Sequence, residues 1–111
     1  MPISPWYVNQ TGEAITIYCR DDSSQPMPLL NPDGMPMNAS QLTLLIKPTV
    51  GPEIAGGGLF EIVDAYVGIV KYQPASSDVA SPGTVLIAVK VQTQSSGPIY
   101  SDRTTWDIQA R

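Results

Sequence analysis

Histidine is absent from this 111-residue chain, and cysteine occurs once, at Cys19. Without histidine the commonest general base, the usual nucleophile activator and the commonest transition-metal ligand are all missing, which argues against most familiar enzyme mechanisms. A lone cysteine cannot close an internal disulfide, and zinc sites draw on several Cys or His ligands. Basic residues are also scarce: six stand against ten acidic ones, no two are adjacent, and the net charge is −4. A surface that neutralises phosphates needs a basic patch, so nucleic acid is not an expected partner. No basic stretch leads into an apolar run at the start, and no window approaches the length that crosses a bilayer. The expectation is a soluble protein made in a cytoplasm, with no cofactor, no metal and no membrane partner.

Present instead are 11 prolines and 9 glycines, set between short apolar runs. Such punctuation predicts many short strands. Residues 14–20 alternate, with Ile15, Ile17 and Cys19 on one face. Residues 21–37 hold four prolines and the turn pair Asp33-Gly34, and read as a long, partly extended surface loop. In 41–47, Leu42, Leu44 and Ile46 share one side, which leaves Leu45 facing outward. Residues 59–64 and 67–73 read as a hairpin, and 75–80 as one helical turn capped by Ser76 or Ser77. The strand 84–93 sets Val85, Ile87, Val89 and Val91 on one face, so it is predicted to be central. A turn at 95–98 leads to Ile99-Tyr100 and to a last strand, 104–110, with Trp106 and Ile108 inward. About seven strands with at most one short helical turn imply a single all-β domain over 1–111, an antiparallel sandwich.

Carboxylates are the only plentiful reactive groups. The pairs Asp21/Asp22, Glu61/Asp64 and Asp102/Asp107 lie in turns or on outward faces, where nothing raises a pKa for acid–base work, so no catalytic residue is assigned. Asp21, Asp22, Asp33, Asp64 and Asp78 lack the spacing of a calcium loop, and turn or cap chemistry accounts for Asp33 and Asp78. Gly56-Gly57-Gly58 has no Lys-Ser/Thr after it and reads as a loop, not a phosphate cradle. Cys19 reads as a small buried thiol. Among the aromatic residues, Trp106 and Tyr72 fit the core, whereas Trp6-Tyr7 fits either a first edge strand or an N-terminal docking segment over 1–10. Trp6, Tyr66 and Tyr100 are the candidates for stacking on sugar rings.

The run from Glu61 through Asp64, Gly68 and Tyr72, followed by Ser77-Asp78-Val79-Ala80-Ser81-Pro82-Gly83 and the alternating strand to Val91, resembles the N-terminal domain of bacteriophage baseplate upper proteins. Residues 10–17 and 42–47 resemble that domain's opening strands, so the resemblance spans roughly residues 6–110. It implies an immunoglobulin-like sandwich in a tail or virion structural protein. This chain departs from it in having Val85 where family members often carry an aromatic residue, which removes a tyrosine-corner hydrogen bond there. The baseplate proteins also continue into a fibre or linker, whereas this sequence stops at Arg111; the expectation is a docking domain without the arm.

The function expected is therefore a virion adaptor that binds tail, baseplate, neck or capsid proteins and forms a homo-oligomer, a trimer or ring. The competing roles are capsid decoration and glycan binding in host adsorption. The contact residues expected are Trp6, Tyr7, Met27, Met35, Met37 and Leu45, reached through apolar complementarity and pairing at an exposed strand edge.

Overall fold

The computed structural model describes residues 6–92 and 98–110. Nine strands follow in order: β1 (Trp6–Tyr7), β2 (Ile15–Tyr18), β3 (Leu42–Lys47), β4 (Ile54–Ala55), β5 (Leu59–Asp64), β6 (Ile69–Gln73), β7 (Gly83–Val91), β8 (Ile99–Tyr100) and β9 (Thr104–Gln109). They form two sheets, one ordered β1-β9-β7-β3-β4 with β8 also on β7, the other β2-β6-β5. All pairings are antiparallel except that of β1 with β9. This is the strand distribution of an immunoglobulin-like sandwich, and the expected fold class holds. The turn expected at 95–98 falls largely outside the described residues, as do residues 1–5 of the expected docking segment.

Period-two alternation builds the core. On the larger sheet the inner rows are Leu42 opposite Val91, Leu44 opposite Val89, Ile46 opposite Ile87 and Val85 opposite Trp106. On the smaller sheet Ile15, Tyr72 and Phe60 form one row, and Ile17, Val70 and Ile62 the next. Burying Ile87, Val89 and Val91 contributes about 1.5–3 kcal/mol each, which is why β7 holds the centre. Trp106 is fully buried and meets Trp6 edge to face, with ring centroids 6.0 Å apart. The Trp6 indole N–H donates to the Gln10 carbonyl at 2.6 Å. Trp6 is thus the first core residue on a short parallel edge strand, the first of its two expected readings, which corrects its place among the contact residues.

The segment 21–37 also differs from the surface loop expected of it. It forms two successive tight turns ten residues apart, in which Asp21 N–H donates to Gln25 O and Asn31 N–H to Met35 O, both at 2.9 Å. The fourth turn residue has positive φ in each, Ser24 at 62° and Gly34 at 84°. Each turn then runs through a proline to a methionine, Met27 or Met37, whose N–H returns to Cys19 O or Leu29 O. Met27, Leu29 and Met37 are buried, so the double turn closes one end of the sandwich. Proline suits this arrangement because Pro26 and Pro36 sit at isolated bridges, where no ladder donor is needed. Gly68, at φ 74°, lets the β5–β6 turn approach the double turn: a Cβ there would lie 2.3 Å from Met27 O.

Among the described residues two short 3₁₀ turns occur, Ala39–Gln41 and Ser76–Val79, where one was expected. The second is held by Asp78, whose Oδ2 accepts from Ala75 N–H at 3.0 Å, and not by a serine cap.

Candidate functional site

The reactive groups are engaged in holding the fold. Cys19 is buried at the end of β2, and burial pushes its thiol up to about 12, far from a nucleophile's range. The Tyr72 hydroxyl donates a short hydrogen bond to Asp78 and accepts one from Gly58 N–H at 2.7 Å. Burial first, and the Asp78 bond second, drive the Tyr72 pKa above its ordinary value. Asp78 also accepts from Gly57 N–H at 2.9 Å. The triple glycine is therefore a cradle for a phenol and a carboxylate of the same chain. A Cβ on Gly56 would lie 2.4 Å from the Tyr72 hydroxyl, and one on Gly58 2.1 Å from Gln73 O. This lock ties β5, β6 and the Ser76–Val79 turn together, without the tyrosine corner that Val85 leaves out.

The other acids serve turns and edges. Asp21 Oδ1 accepts from Ser23 and Gln25 N–H at 2.9 Å, Asp33 from Met35 N–H at 3.0 Å, and Asp64 from Tyr66 N–H at 3.1 Å. Asp102 accepts from Arg103 N–H, Asp107 from Thr84 and Gln109, and Glu61 stands opposite Lys71. Among the described residues no three Cys, Asp or Glu side chains are grouped to hold a metal. Nor is any helix there long and apolar enough to cross a membrane.

The six expected contact residues separate by burial. Met27 and Met37 join Trp6 in the core, a second correction: their turns fold back and carry them inward. Met35 and Tyr7 stay exposed, at 62% and 47%, and Leu45 is half-buried on the outer face of the larger sheet. These three lie on a turn, on the edge strand β1 and on β3, and do not form one cluster. The glycan candidates are likewise dispersed: Trp6 is interior, Tyr66 lies in the β5–β6 turn, and Tyr100 is on β8 of the other sheet.

What the sheets do assemble is an outward row of Ala55, Leu45 and Ala88, directly opposite one another across β4, β3 and β7. Lys47 pairs with Leu86 on one side of this row, and Thr43 with Lys90, then Tyr100, on the other. Leu45 was legible from its place between two inward residues, but Ala55, Leu86 and Ala88 join it only through strand register. The result is a small apolar strip, exposed at Ala55, half-buried at Leu45 and buried at Ala88, rimmed by two lysines and poor in catalytic groups.

Comparison with protein-family models, curated proteins and solved structures gives no match for this chain.

Proposed function

We propose that this chain is a bacteriophage virion structural protein, a small immunoglobulin-like adaptor that docks on tail or baseplate components and on copies of itself. The observation that carries the docking reading is the outer side of the larger sheet, where exposed Ala55, Leu86 and Tyr100 and half-buried Leu45 surround a buried Ala88. The virion assignment is supported by the resemblance of residues 61–91 to baseplate upper proteins. Binding works by apolar burial at the strip, with Lys47 and Lys90 at the rim selecting partners that present carboxylates. An antibody raised against the purified chain and applied to phage particles in the electron microscope tests the placement. Label at the tail tip is expected. Label over the whole head would make it a capsid decoration protein, and particles without label would overturn the virion role.

A further inference from the structure

Among the described residues the smaller sheet contains three strands, β2-β6-β5, and β2 is its edge. In immunoglobulin sandwiches of the constant type another strand lies beside this one; here the first described strand, β1, pairs with β9 of the other sheet. The open side of β2 can be read from its hydrogen bonds. Cys19 N–H donates to Gly68 O at 2.8 Å, so the odd residues of β2 face β6. The even residues face away: Arg20 O accepts from Asp102 N–H at 2.7 Å, and the outward backbone groups of Thr16 and Tyr18 have no partner among the described residues.

Beside this edge is a cleft of about 330 Å³. Its floor includes Ile17 and Val89, and its rim Arg20, Arg103, Asp102 and Ser24. It exists because the strand beside β7 is interrupted between β8 and β9. There Ser101 turns inward, its N–H donating to Val89 O at 2.9 Å and its hydroxyl accepting from Val89 N–H at 2.8 Å. The ladder thus stays satisfied while the chain bends over to reach Arg20. Arg103 is paired with Glu53 at 3.6 Å, whereas Arg20 has no ion-pair partner among the described residues. With Glu53 answering Arg103 and Asp102 also at the rim, Arg20 is the cation there left open to a partner's carboxylate.

We infer that the β2 edge and this cleft receive an extended, acidic segment of a partner protein, which adds as a fourth strand. Thr16 and Tyr18 supply two donors and two acceptors for main-chain pairing. Alternate side chains of the incoming segment lie over Ile17 in the cleft, and a carboxylate on it meets Arg20. The inference rests on the adaptor reading only in taking the partner to be a protein, and its test uses peptides, independent of where the chain sits on a particle.

The probe is a set of ten-residue peptides alternating valine and threonine, with a single aspartate placed at each position in turn, and the same set carrying lysine. Each is titrated into the isotope-labelled full chain at low salt, with amide exchange read residue by residue. An aspartate peptide should slow exchange at Thr16 and Tyr18 at least tenfold while leaving Ile15 and Ile17, already paired to β6, unchanged. Arg20→Glu should weaken that peptide at least tenfold and transfer the preference to lysine; Arg20→Gln, which keeps most of the stem, should abolish the preference for charge. Unchanged exchange at Thr16 and Tyr18, or equal binding of both sets, would overturn the inference. So would slow exchange at these two amides without peptide, accompanied by a concentration-dependent doubling of mass, since the occupant would then be a second copy of the chain.

Discussion

Replacing Tyr72 by phenylalanine keeps the ring, and with it the packing on Phe60 at a centroid distance of 4.9 Å, and deletes only the hydroxyl. That hydroxyl donates to the Asp78 carboxylate and accepts from Gly58 N–H. A hydrogen bond to a charged group is worth about 1.5–3 kcal/mol, and leaving the half-buried Gly58 donor unpaired adds about 1 kcal/mol, so a loss of about 3 kcal/mol is expected. For 111 residues the unfolding entropy is about 0.23 kcal/mol/K, which converts the loss into a midpoint about 13 °C lower. Asp78→Ala removes three accepted hydrogen bonds, from Gly57, Ala75 and Tyr72, and should cost more. Thermal and urea unfolding of wild type, both single variants and the double variant give the coupling directly, expected at about 1.5–3 kcal/mol. A midpoint shift of Tyr72→Phe under about 3 °C, or a coupling under about 0.5 kcal/mol, would refute the view that the glycine cradle exists to hold this pair.

The methionines separate by the same logic: Met27→Ala and Met37→Ala should each cost about 2–4 kcal/mol in urea unfolding, and Met35→Ala less than about 0.5 kcal/mol. Gly68→Ala, which forces a side chain at φ 74° against Met27 O, should lower the thermal midpoint by several degrees without changing the residues exposed to solvent, as read by proteolysis. Cys19 contributes stability that is complete below pH 9.0 and is lost as pH rises toward about 12, because the unfolded chain releases this proton first. Unfolding free energy should therefore fall by up to about 1.4 kcal/mol per pH unit above pH 9, and Cys19→Ala should flatten that slope in alkaline urea titrations. The folded thiol should also resist aromatic disulfide reagents at pH 8 until denaturant is added.

The strands were legible because their signal is local. Ile15 and Ile17, Leu42, Leu44 and Ile46, and Ile87, Val89 and Val91 recur every second residue, and the sheets bury the faces so marked, even where Leu45, Leu86 and Ala88 make the other face apolar too. The double turn was harder to read, since proline and acid content alone says loop. The informative signal was the echo at ten residues, in which an Asx residue is followed three positions later by Ser24 or Gly34 and then by x-Pro-Met. That echo places Met27 and Met37 in equivalent positions and inside, while Met35, lying within the turn, points out. Composition marks all three as adaptable contact residues, and only backbone direction separates them. Trp6 went astray for a related reason: a two-residue strand has no periodicity to read, and its burial depends on parallel pairing with β9, a partner about 100 residues away.

The surface followed a different rule. Leu45 could be found from its immediate neighbours, but a binding face needs several residues together, and Ala55, Leu86 and Ala88 come from strands far apart in sequence. Alanine also carries little hydrophobic weight by itself, so no pattern along the chain marks it. The β2 edge is less visible still, because it is made of main-chain groups that every residue has. Its openness depends on where β1 goes and on Asp102 reaching Arg20, neither of which alternation encodes. A chain whose few reactive groups are bound up in turns and in the Tyr72–Asp78 lock has sheet faces and sheet edges left with which to interact. The larger sheet offers a face with a lysine rim and the smaller one an edge with Arg20 at its end. The first lies on the outer side of the larger sheet, and the second opens between the two sheets beside β2.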